Sequence, residues 1–100
     1  MKLITKEIES KMPAICSQEE ENNPIVHVKF FTPDANWTWY ALEYDPEEGV
    51  FFGFVDGMFP ELGLFTLEEL ESVRGPFGLP VERDLYWEPK GLQEVMAGAL

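Results

Sequence analysis

The sequence is poor in the residues that most enzymes and metal proteins depend on: one cysteine, one histidine and seven lysines and arginines in 100 residues. With Cys16 as the single thiol, an intramolecular disulfide is excluded, and the composition suits a reducing cytoplasm. With His27 as the single imidazole, metal or general-base chemistry has only carboxylates to recruit as partners. No apolar run approaches the roughly 20 residues needed to span a bilayer, and "MKLITKEIESKMP" lacks the continuous apolar stretch of a signal peptide. There is no glycine-rich phosphate loop, CxxC pair, HExxH helix or GxSxG elbow, which disfavours the enzyme classes built on them.

Acid is present in excess. Nineteen Asp and Glu give a formal net charge of −12, beyond the magnitude of about 2–8 that solubility asks of a small domain. Such a surface repels nucleic acid and anionic membranes, because affinity for phosphate comes from Lys and Arg that displace counterions. Direct nucleic-acid binding is disfavoured, and a basic protein surface is the expected partner. The chain is also 45% hydrophobic and 14% aromatic, enough to bury a core within one domain over residues 1–100.

The pattern of side chains divides the chain into short elements. Thr5 is placed to cap a helix running to about Met12, with Ile4, Ile8 and Met12 at four-residue spacing and Pro13 as its stop. The polar stretch "AICSQEEENNP" reads as an exposed loop. The β-branched and aromatic "IVHVKFF" predicts a strand, "TPDAN" a turn and "WTWYALEYD" the returning strand. After the turn "DPEEG", "VFFGFVDG" and "ELGLFT" predict two more strands. Thr66 and Glu69 have capping-box spacing, Leu67, Leu70 and Val73 form a helical stripe, and Gly75 ends it. "VERDLYWEP" alternates as a last strand, and "GLQEVMAGAL" predicts a terminal helix through Leu92, Val95, Met96 and Ala99. The expected architecture is α+β: a four- to five-stranded, mostly antiparallel sheet with two or three short helices on one face or at the ends.

Several of these segments together carry a family pattern. "FFTP", residues 30–33, "PELG", residues 60–63, and "GLP" followed by "ERDL", residues 78–85, behind an N-terminal "LITKEI", resemble a bacterial family of small proteins catalogued as domain of unknown function 2958. The resemblance covers nearly the whole chain. It implies a compact cytoplasmic protein often encoded on plasmids and other mobile elements, and it supplies no activity, cofactor or catalytic residue.

The candidate chemistry is thin. Strand alternation puts His27 with Ile25, Lys29 and Phe31, a position that suits a structural or solvent-facing imidazole. Cys16 stands beside glutamates that disfavour its thiolate. A carboxylate-dependent enzyme or metal-binding protein would draw on Asp56, Glu61, Glu82 and Asp84, or on Asp34, Asp45 and Asp56, although so acidic a chain brings some acids together by chance. No cofactor is expected.

The favoured reading is a non-catalytic acidic interaction protein. Alternation places Trp37, Trp39, Ala41, Glu43 and Asp45 on one strand face, an aromatic patch with an acidic edge that Glu47 and Glu48 extend. Glu82, Asp84 and Glu88 share a face of the last strand. Alternate strand positions lie about 6.6 Å apart, close to the roughly 7 Å between phosphates along a nucleic-acid strand. Rows of this kind could imitate that backbone to a basic groove, and the mobile-element context makes inhibition of a host CRISPR or restriction complex the sharpest form of the reading. A homodimer meeting through exposed aromatics is the plainer outcome.

Overall fold

The computed structural model describes residues 1–99. Helix α1 (Lys6–Lys11) begins where the Thr5 hydroxyl accepts from the Ile8 amide at 3.2 Å, and it stops before Pro13. Strands β1 (Ile25–Val26) and β2 (Val28–Phe31) follow the polar loop. The meander is β3 (Thr38–Asp45), β4 (Val50–Asp56) and β5 (Pro60–Thr66). Helix α2 (Leu67–Ser72) is capped by the Thr66 hydroxyl, which accepts from the Glu69 amide at 3.0 Å. Strands β6 (Glu82–Arg83) and β7 (Lys90–Gly91) and helix α3 (Leu92–Ala99) complete the chain. Of the residues expected in the terminal helix, the Ala99 side chain and Leu100 lie outside what is described.

Five strands form one antiparallel sheet in the order β5-β4-β3-β2-β6, and β1 pairs with β7 in a separate two-stranded sheet. This is the α+β architecture expected, with both faces of the sheet covered. On one face, Leu3, Ile8 and Met12 from the N-terminal region and Leu67 and Leu70 from α2 pack over Phe30, Tyr44, Phe51 and Phe65. Phe51 is the centre of that layer, stacked on Tyr44 at 4.3 Å and on Phe65 at 5.2 Å, with Phe30 edge-on at 5.4 Å. On the other face, Leu92 and Val95 of α3 pack with Val26, Leu42 and Phe54. Burying each such side chain contributes about 1.5–3 kcal/mol.

Helix α3 owes its start to a distant loop. The Leu92 amide donates to the Pro24 carbonyl and the Gln93 amide to the Asn23 carboxamide oxygen, both at 2.8 Å. The "NNP" segment expected to be open loop therefore satisfies amides that a helix leaves without partners in its first turn.

Two irregularities reset the strand faces. In β3, Ala41 pairs with Gly53 and Glu43 with Phe52, so Leu42 is an extra residue, a β-bulge. Simple alternation expects Tyr40, Leu42 and Tyr44 on one face. Instead Tyr44 joins Trp39 and Ala41 in the α1/α2 layer while Tyr40 and Leu42 face α3. The chain also steps between β1 and β2: Val26 is in the α3 layer and Val28 in the other, with the His27 amide donating to Ala41 at 2.9 Å.

Candidate acidic interface

One end of the sheet collects carboxylates from three elements. The turn after β3 is an Asx turn in which Asp45 Oδ1 accepts from the Glu47 amide at 3.0 Å and the Glu48 amide at 3.4 Å. This fixes the backbone and leaves the Glu47 and Glu48 side chains exposed. The Leu67 amide donates to the Gly49 carbonyl at 2.9 Å, so the start of α2 with Glu68 and Glu69 abuts the same turn. Glu9 of α1 and Glu71 of α2 reach the same end: burial first, and then the charges of Glu9, Asp45 and Glu71, hold the Tyr44 phenol above its ordinary pKa. Among the described residues only two ion pairs form, Lys11 with Glu7 and Lys29 with Asp84, and neither neutralises this end.

The residues expected at a partner interface are dispersed. Glu43 is 3% exposed, and its carboxylate accepts from the Cys16 amide at 2.8 Å and the Gln18 amide at 2.9 Å. It staples the acidic loop to the sheet and is not on the surface. Trp39 is buried in the core, and Trp37, 40% exposed, stacks on it at 5.9 Å. Trp37 and Asp45 stand at opposite ends of β3, about 25 Å apart at strand rise, and the bulge turns Glu43 and Asp45 to the face opposite Trp39. The aromatic patch with an acidic edge is thus divided.

The second expected row is also absent, because β6 is only two residues long. Asp84 Oδ1 accepts from the Tyr86 amide at 2.9 Å and turns the chain, and its other oxygen is 3.9 Å from Lys29 Nζ. Trp87 then swings into the α3 layer, its indole donating to the Val26 carbonyl at 3.1 Å. Glu82, Asp84 and Glu88 do not form a strand-periodic line. Glu47 and Glu48 are the expected contacts that remain exposed at the acidic end, joined there by Glu9, Glu68, Glu69 and Glu71. The pairing of Val50 with Thr66, which sets α2 beside the turn, is the signal that could have found the three glutamates of α2.

The enzymatic grouping is not assembled. Glu61 is on β5 and Glu82 on β6, the two opposite edges of the five-stranded sheet, four strand spacings or about 19 Å apart. Among the described residues no group of three or more His, Cys, Asp or Glu side chains is placed to hold a metal ion. Asp34 is committed elsewhere: Oδ2 accepts from the Phe77 amide at 2.8 Å, and Oδ1 packs so closely on Gly75 that a Cβ there would lie 1.6 Å from it. His27 is half-buried and its imidazole is held below its ordinary pKa by that burial.

Two apolar features complete the surface. A groove of about 620 Å³ has Leu42, Phe52, Leu62 and Leu64 in its walls and Glu19 and Glu21 from the polar loop beside them. At the end opposite the acids, Trp37 lies against Gly57, next to exposed Met58 and Phe59, while Asp34 ties down the loop carrying exposed Phe77. No described helix is long and apolar enough to cross a membrane.

These features define a small α+β protein with carboxylates crowded at one end of its sheet. The chain belongs to the family described as protein of unknown function, DUF2958, whose model matches residues 3–97. No curated protein and no solved structure matches the chain significantly.

Proposed function

We propose that this is a non-catalytic acidic interaction protein whose acidic end binds a basic protein surface. The observation that carries the reading is the collection of Asp45, Glu47, Glu48, Glu68 and Glu71 at one end of the sheet, none of them in an ion pair among the described residues. An uncompensated negative surface raises the encounter rate with a positive partner and selects against anionic ones. In the narrower form of the proposal the partner is a nucleic-acid-binding host protein of a CRISPR or restriction system, and the acidic end occupies the groove that receives the phosphate backbone. The mobile-element setting implied by the family resemblance and a cytoplasmic location both belong to this proposal.

The test uses the exposed acids and leaves Glu43 and Asp45 in place, because those two hold backbone. A Glu47→Lys, Glu48→Lys, Glu71→Lys variant is expected to fold as the wild type and to lose at least about tenfold in affinity for a partner captured from the native host, with a shallower salt dependence. Duplex DNA should compete with the wild-type protein for that partner. Binding unchanged by the triple reversal rejects the acidic interface, and binding unaffected by DNA rejects the mimicry.

A further inference from the structure

The two edges of the sheet are finished differently. At one edge β6 has two residues, and the Arg83 guanidinium donates to the Lys2 and Leu3 carbonyl oxygens, tying the N-terminal segment beside it. At the other edge β5 runs for seven residues, with Pro60, Glu61, Leu62 and Leu64 exposed. An uncovered edge strand presents unpaired amides and carbonyls to any other strand, and proteins usually guard it with charge, proline or a bulge. Here Pro60 sits at the very start, Glu61 is the single charge, and the β4–β5 register runs without a bulge. Leu62 and Leu64 are 51% and 67% exposed, and both lie on the groove face.

We infer that β5 pairs with β5 of a second copy, antiparallel about a two-fold axis at Gly63, so that the two five-stranded sheets become one continuous sheet. The strand sequence "PELGLFT" complements itself in this register. Leu62 meets the partner's Leu64 on one face, and by symmetry the contact occurs twice. Glu61 meets the partner's Phe65, so no like charges face each other.

Charge selects the same arrangement. A two-fold axis perpendicular to the sheet places the acidic end of one copy beside the apolar end of the other. The two acidic ends are then separated by about the length of β5, roughly 23 Å, well beyond the screening length of about 8 Å at physiological salt. Parallel pairing would set them side by side. Antiparallel self-pairing therefore keeps the two acidic ends from facing each other.

Sedimentation equilibrium should give twice the chain mass of 11.5 kDa. Leu64→Glu alters an exposed side chain, so it should keep the wild-type circular dichroism spectrum while weakening the dimer by about tenfold or more. The register is read by cross-linking. In a Cys16→Ser background, Gly63→Cys adds a Cβ that meets nothing within 4 Å in the single chain, and it should oxidise to a covalent dimer where Glu48→Cys does not. A single-chain mass at every concentration overturns the inference and leaves the edge to a strand of another protein. A dimer that survives Leu64→Glu, or that Gly63→Cys fails to trap, overturns it equally by placing the contact elsewhere.

Discussion

Glu43 shows how one residue can reverse its apparent role. It stands between Leu42 and Tyr44, both buried, and its two oxygens receive the amides of Cys16 and Gln18. The loop conformation it holds is itself costly: Cys16 has φ of 69°, a left-handed geometry that disfavours most side chains by about 1–2 kcal/mol. Replacing Glu43 by Ala leaves both amides without their acceptor. The expected loss is about 2 kcal/mol in urea unfolding, with faster hydrogen exchange at Cys16 and Gln18. Stability equal to wild type would show that water replaces the carboxylate at no cost. Little of this was legible in the sequence, because nothing local marks an acid that bonds to amides 25 and 27 positions earlier. The apolar neighbours on both sides are the only hint.

Elements were more legible than residues wherever the deciding interaction was local. Thr5 and Thr66 cap their helices as their spacing suggests, because the acceptor and the amide it serves are three residues apart. The meander was legible from its turns for the same reason. The bulge was not: "WYALEY" is apolar enough on both faces that alternation carries no register, and the extra residue is visible only in the pairing of β3 with β4. Since the bulge decides which face Glu43 and Asp45 join, the acidic edge beside Trp39 was misplaced by that single residue. The last strand failed for a related reason, since Asp84 ends it with a turn that alternation cannot reveal. The start of α3 depends on residues about 70 positions earlier. Asn23→Ala should cost about 1 kcal/mol and loosen the first turn of α3, seen as faster exchange of the Gln93 amide while α2 is unaffected. Equal protection in both proteins would mean that Pro24 alone sets the helix start.

At the scale of the molecule, carboxylates crowd one end of the strands, while Asp56 and Glu61 stand among the exposed apolar residues of the other. Two tyrosines each record the acids nearest to them, at the two ends of β3. Tyr40 is raised above its ordinary value of 10.0 by burial and then by Asp56, and Tyr44 by burial and then by Glu9, Asp45 and Glu71. A folded-state pKa above the unfolded one gives stability that is complete below about pH 10 and is lost as pH rises through the folded value. The protein should therefore lose stability on the alkaline side of pH 10, and Tyr44→Phe should lessen that loss without changing its slope near neutrality. An alkaline limb identical in the variant would move the effect to other groups. The net charge was plain in the composition, but its placement needed the hairpin and α2 to be brought together.

The stapled loop has a practical consequence. Cys16 is the single thiol, it is exposed, and it borders the groove that contains Leu62 and Leu64. A maleimide dye would attach at one defined point beside the groove, on the loop that Glu43 holds against β3. The native sequence thus contains its own reporter position, whose emission would register an occupant of the groove without any engineered residue.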